Sequence, residues 1–207
     1  MLLFSLFNSP LTFLFVALSI LTGFTVHEFF HALVADKLGD DTPRSMGRLS
    51  LNPVAHMDLL GTVFLLLAGF GWGKPVIVNP NNFENPKLDN LTVSLAGPIS
   101  NLGLAVAAGL IYRFVEMPTL LASFLSIFVF YNLVLMIFNF LPIPPLDGSK
   151  ILGIFLPEDL YDSIQRMGVL LLFGLVMFSS FIPVIPFIMN RVVGFFFTLI
   201  TGQPLAI

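Results

Sequence analysis

The 207-residue chain has no cysteine, one tryptophan and three histidines, and only 10% of its residues are charged, 9 Lys and Arg against 12 Asp and Glu. Without cysteine there is no disulfide framework, no thiolate metal site and no cysteine nucleophile. Soluble domains carry about 25% charged residues. The low value here, with 57% apolar residues, excludes an ordinary soluble domain and a disordered chain. The lack of a basic excess argues against nucleic acid as a partner. There is no internal repeat, low-complexity tract or polar linker. One domain over 1–207 is expected, with a core over about 10–155 and C-terminal helices over about 166–200.

What is present is a series of uncharged runs: 1–26, 59–73, 91–112, 117–146, 167–190 and 192–207. A helix needs about 20 apolar residues to cross the hydrocarbon core of a bilayer. The runs at 91–112 and 117–146 suffice. The first suffices if its helix starts near Pro10, a favoured first-turn residue, and ends before Gly39, a favoured terminator. It lacks the basic leader of a signal peptide. Pro183 and Pro186 divide the later runs into helices at about 166–181 and 184–200. Residues 59–70 are too short to cross comfortably and read as a re-entrant segment. The expected fold is an all-α membrane protein with about five transmembrane helices, a short re-entrant segment and a small β-hairpin. The bilayer is then an obligatory partner.

Lys and Arg give the orientation. Lys37, Arg44, Arg48, Lys74, Lys87, Lys150 and Arg166 fall on one side of such a map and Arg113 on the other. Basic residues favour the cytoplasmic side. The N-terminus is expected outside and the C-terminus in the cytoplasm.

The first helix contains His27-Glu28-Phe29-Phe30-His31. Histidines at i and i+4 lie about 40° apart around a helix, so both can reach one metal ion. Glu28 is close enough to act on a metal-bound water without being a ligand. Ionisable groups in an apolar span cost about 2.5 kcal/mol or more when charged, which marks them as functional. A catalytic zinc site needs a third protein ligand. The candidates are His56 and a carboxylate, of which Asp147, closing an uncharged span, would arrive at the depth of the two histidines. Pro142, Pro144 and Pro145 free the backbone there to turn it inward. His56 reads as an ordinary loop histidine.

HEFFH together with Asn139, Pro142, Leu146, Asp147 and Gly148 (N-x-x-P-x-x-x-L-D-G) resembles the site-2 protease family of intramembrane zinc metalloproteases, peptidase family M50. Ala96-Gly97-Pro98-Ile99-Ser100-Asn101 resembles that family's AGPxxN segment. The stretches Gly47–Pro53 and Gly73–Pro80 are similar too, in the family's order over about residues 20–155. The PDZ insertion and the cystathionine-β-synthase-type tail of larger members are absent. The resemblance implies one zinc ion per chain held by His27, His31 and Asp147, with Glu28 as general base. It also implies a proteolytic activity on transmembrane segments of other proteins, in a prokaryotic cell membrane.

Other residues are read physically. Asn101 is the best non-metal candidate to donate to the oxyanion of a tetrahedral intermediate, the alternative being a helix–helix hydrogen bond, which is common for Asn in membranes. Asn139 is structural, serving backbone groups freed by the prolines, and Gly97, Pro98 and Gly148 shape the site. Pro75-Val76-Ile77-Val78-Asn79 has the chemistry of a strand, whose edge would hold a substrate peptide extended. The alternatives are a membrane metal-ion transporter using the same His/Asp cluster, which has no evident need for Glu28, and a protease-like binding protein, against which the intact HEFFH argues.

Overall fold

The computed structural model describes residues 8–68, 71–178 and 184–205. Three helices form its frame: α1 (Pro10–Lys37), α3 (Pro86–Phe114) and α4 (Thr119–Asn139), all long and apolar enough to cross a membrane. Between α1 and α3 lie α2 (Leu59–Ala68), two 3₁₀ turns and an extended stretch. After α4 come α5 (Ser149–Phe155), α6 (Glu158–Arg166), α7 (Gly168–Phe178) and α8 (Val184–Thr201).

The ends of α1 follow from its sequence. Pro10 occupies its first turn, where no N–H is needed. At the other end Gly39 takes φ +103°, the left-handed conformation that glycine adopts without strain. The Gly39 N–H then reaches the Asp36 carbonyl at 3.3 Å and the Asp40 N–H the Ala35 carbonyl at 2.9 Å, which closes the helix as a Schellman motif. That turn tucks Asp40 out of solvent, with 0% exposure. One carboxylate oxygen accepts from the Thr42 N–H (3.2 Å), the Thr42 hydroxyl (2.5 Å) and the Asn82 amide (2.7 Å). The other accepts from the Asn79 N–H at 2.8 Å. Burial alone would push this carboxyl up, but the donors outweigh it and hold it below the ordinary carboxylate range.

α1 and α3 run antiparallel, since His31 meets Val93 and Gly23 meets Asn101. α4 packs against both. Ala105 and Ala108 of α3, Val129, Leu133 and Met136 of α4, and Val193, Phe197 and Ile200 of α8 form the main core. Small side chains on α3 admit the large ones of its partners. α3 and α4 are joined by residues 115–118 alone, so no domain is inserted there.

Three expectations are corrected. The described residues contain three spanning candidates, not five. α7, expected over 166–181, is described over Gly168–Phe178, and residues 179–183 lie outside the described residues. The hairpin is absent too: the described residues contain no sheet, only one antiparallel bridge between Met57 and Gly73. Pro75 lacks an N–H, and the amides of Val76 and Asn79 go to Glu28 and Asp40 instead of to a neighbouring strand. The third correction concerns topology. Arg113, near the end of α3, donates to the Leu199 carbonyl near the end of α8 at 3.2 Å. Since α1 is antiparallel to α3, Pro10 and Thr201 lie at the same end of the bundle. The N-out, C-in expectation placed those two ends on opposite sides of the membrane.

Single cysteine probes test this, with no native cysteine to interfere. Probes at Ser9 and Gln203 should label from one side of the membrane and a probe at Ser45 from the other. Labelling of Ser9 and Gln203 from opposite sides would restore the five-span map.

Asp40 should make stability depend on acid. Its carboxyl is lowered on folding, so its stabilising effect is present above the ordinary Asp pKa of about 3.9 and is lost as the pH falls through the lower folded value. In detergent, Asp40→Asn should melt below wild type at neutral pH and lose less on acidification. Parallel pH profiles of the two proteins would remove Asp40 from the account.

Candidate metal centre

α1 sets His27 and His31 on one face, and the turn after α4 delivers Asp147 opposite them. In that turn the Leu146 N–H bonds to the Ile143 carbonyl at 2.9 Å and the Gly148 N–H to the Asn139 carbonyl at 2.7 Å. Gly148 packs so closely on the Phe140 carbonyl that a β-carbon would collide with it. The His27 and His31 Nε2 atoms stand 3.0 Å apart. Asp147 Oδ2 stands 3.1 Å from the first and 3.3 Å from the second. Both histidines are buried, at 4% and 7% exposure.

The protons of this cluster can be placed from its outer partners. His31 Nδ1 lies 2.7 Å from the Val93 carbonyl, which only accepts, so Nδ1 carries the proton and Nε2 a lone pair. His27 Nδ1 lies 2.7 Å from Asn101 Oδ1. The Asn101 amide is oriented by its Nδ2, which donates to the Gly23 carbonyl at 3.0 Å. His27 Nε2 is therefore also a lone pair. Asp147 Oδ2 is buried and has no hydrogen-bond donor. With both imidazoles neutral, as metal ligands require, three lone pairs face one another, an arrangement that a cation between them relieves. The spacing matches the edge of about 3.3 Å expected for ligands about 2.0 Å from a tetrahedral zinc. Space is provided by Gly97, where a β-carbon would lie 2.5 Å from His31 Nε2 and 2.6 Å from His27 Nε2. The donor set and the cradle fit a divalent metal.

Glu28 lies beside this cluster, 8% exposed, and its Oε2 accepts the Val76 N–H at 3.2 Å. The cluster and Glu28 line a cavity of about 390 Å³ with Pro75, Val76, Val78, Ser94, Asn139 and Lys150. Of the extended segment, Pro75, Val76 and Val78 line the cavity. Ile77 is 52% exposed outside it, and Asn79 turns away to Asp40. The segment is tied at both ends, by the Lys74 N–H on the His56 carbonyl at 2.8 Å and by Asn79 on Asp40.

Asn101 does not take the role expected of it. It meets the Nδ1 side of His27, away from the Nε2 corner. Its amide protons go to the Gly23 carbonyl and to Asn132 Oδ1, the latter at 3.1 Å, so none is left for an oxyanion. Pro98 is fully buried within α3. Asn139 donates to the Leu135 carbonyl at 3.0 Å, and its own carbonyl serves Gly148. His56 is buried outside the cluster, with Nε2 donating to the Ser50 carbonyl at 2.7 Å. Asn132 and Asp40 went unnoticed in the sequence. Asn132 is an amide within an apolar span, a weaker signal than the charge that marked Asp147. Asp40 follows a helix-ending glycine, and nothing local announces that its partners lie near residue 80.

The family model for peptidase family M50 matches residues 116–179. The chain is 43% identical over 152 residues to "Putative zinc metalloprotease YwhC" of Bacillus subtilis, covering 69% of this chain and 69% of that protein. A protein of the same descriptive name in Methanocaldococcus jannaschii is 33% identical over 146 residues, 70% of this chain and 72% of that one. Rip2 of Mycolicibacterium smegmatis, of the same description, is 32% identical over 150 residues, and the match spans 58% of its length. No solved structure matches the chain at a significant level.

If Gly97 makes room for the ion, Gly97→Ala should fill that room. The purified variant should carry well below one divalent metal per chain where wild type carries one. Full metal content in the variant would show that the ion lies elsewhere.

Proposed function

Because the chain belongs to peptidase family M50, we propose that it hydrolyses peptide bonds inside the membrane-embedded segments of other proteins, with Glu28 as general base. The chain is a zinc metalloprotease and an integral membrane protein. The observation that carries the finer reading is a buried carboxylate, Glu28, sharing one cavity with the His27–His31–Asp147 cluster on and against the apolar helix α1. His27, His31 and Asp147 would hold the zinc. When bound, zinc supplies Lewis acidity to water and to a scissile carbonyl.

The chain's own residues account for the rest. The Val76 N–H fixes Glu28 Oε2, leaving Oε1 to take the proton of an attacking water. As the water oxygen bonds to the carbonyl carbon and the C–N bond breaks, Glu28 returns that proton to the leaving amine. The Pro75–Val78 stretch, held taut between His56 and Asp40, presents main-chain groups along which a peptide can lie extended. A substrate helix must unwind to reach it. Lys37, Arg44, Arg48, Lys74, Lys87 and Lys150 all belong to the cleft-bearing end, which supports placing that end in the cytoplasm of a prokaryotic cell. α8 completes the core around α3 and α4, which supports one catalytic domain.

Glu28→Gln should keep its zinc and lose about 10²–10⁴ in cleavage rate on a single-span substrate. Asp147→Ala should lose zinc and activity together, and His56→Ala should keep its zinc. Metal analysis beside the cleavage assay checks all three. Zinc loss in Glu28→Gln would make it a ligand, and unchanged cleavage would remove it as the base.

Val76→Pro should slow cleavage by releasing Glu28, without loss of zinc; if the extended segment also guides substrate, Val78→Pro should slow it too, and Val→Thr at either site should be mild. Gly or Pro near the scissile bond should speed cleavage of a helix-prone substrate, since they cost about 1 and 3 kcal/mol in a helix interior. No effect from either proline would reduce the segment to an interfacial loop.

A further inference from the structure

Behind His27, the cluster is backed by side chains that touch neither cleft nor ligand corner. Asn101 of α3 and Asn132 of α4 are both fully buried, at 0% exposure. They form one directed chain with His27 of α1. The Asn132 amide donates to the Phe128 carbonyl at 2.9 Å. Asn132 Oδ1 accepts from Asn101 Nδ2 at 3.1 Å, while the other Asn101 proton goes to the Gly23 carbonyl at 3.0 Å. Asn101 Oδ1 is left facing His27 Nδ1 at 2.7 Å.

An amide can flip end for end and a neutral imidazole can hold its proton on either nitrogen, so each member taken alone is ambiguous. The chain is not, because it ends on the backbone carbonyls of Phe128 and Gly23, which cannot donate. Those two carbonyls dictate the direction of both amides and put the His27 proton on Nδ1. The contacts lie inside an apolar bundle where water does not compete, so a reversed amide would leave its groups unpaired. The approach of Asn132 depends on Gly23, where a β-carbon would lie 2.8 Å from Asn132 Oδ1 and 2.9 Å from Leu135 Cδ1.

We propose that Asn101, oriented by the Gly23 carbonyl and by Asn132, whose approach Gly23 admits, is a positioning residue that locks His27 in the tautomer with a free Nε2. This makes metal affinity depend on a contact among three helices. The inference rests on the zinc reading of His27, His31 and Asp147.

The test is a double-mutant cycle read as the zinc dissociation constant of detergent-purified protein by chelator competition. The absorption spectrum of the Co²⁺-loaded protein gives a second readout. Asn101→Leu should weaken zinc about 10–100-fold, the usual effect of losing a partner that orients a metal-bound histidine, and should change the Co²⁺ spectrum. Asn132→Leu should weaken it less, because the Gly23 carbonyl still orients Asn101. The double variant should match Asn101→Leu alone, since Asn132 acts only through Asn101. Gly23→Ala should behave as Asn132→Leu does and also have no effect once Asn101 is gone, which reads the same coupling if a leucine variant fails to fold. Additive losses in the double variant would make Asn132 an independent packing residue and overturn the relay. Unchanged zinc affinity and spectrum in Asn101→Leu would overturn the positioning role while leaving the zinc reading intact. Wild-type protein that binds no zinc would overturn both.

Discussion

Three lone pairs are held within 3.3 Å of one another inside an apolar bundle, and most of the remaining architecture follows from keeping them there. Left to itself, such a cluster would relax by turning an imidazole or picking up a proton. Turning is closed by partners that can only accept a hydrogen bond: the Val93 carbonyl behind His31, and the amide chain ending on Gly23 and Phe128 behind His27, which leaves the uptake of a cation, proton or metal ion. Asp147 is delivered by a turn whose own backbone is satisfied by Asn139 and Ile143. The repulsion is therefore built in during folding, and a cation relieves it.

The same economy of polar groups governs the extended segment. A stretch with strand chemistry meets no neighbouring strand. Its amides are instead spent on carboxylates, Val76 on Glu28 and Asn79 on Asp40. Each carboxylate thereby fixes the backbone that covers the cavity, and the backbone fixes Glu28 in turn. Buried carboxylates are costly unless hydrogen-bonded. Here the cost of burying them and the cost of leaving an unpaired backbone at the membrane surface offset each other.

What could be read from the sequence was whatever depends on spacing and on the rarity of polar groups in apolar runs. The i, i+4 histidines, Glu28 between them and Asp147 at the end of an uncharged span were legible for that reason, as were the ends of α1 at Pro10 and Gly39. The end of α8 beside α3 was not, because a run of apolar residues does not fix which end of a bundle its helix reaches. The expected oxyanion role of Asn101 failed because a sequence does not tell which way an amide faces. Two protons committed to Gly23 and Asn132 decide that, and both partners lie on other helices. The absent hairpin has a similar origin. Strand propensity describes what the segment can pair with, and here side-chain acceptors reached its amides first.

The shared end of α1 and α8 has a practical side. Pro10 and Thr201 sit at the end of the bundle farthest from the cleft, with Arg113 bridging to the last turn of α8. A fluorescent protein, affinity handle or rigid binding module fused beyond either helix would project from the opposite face and leave the cavity clear.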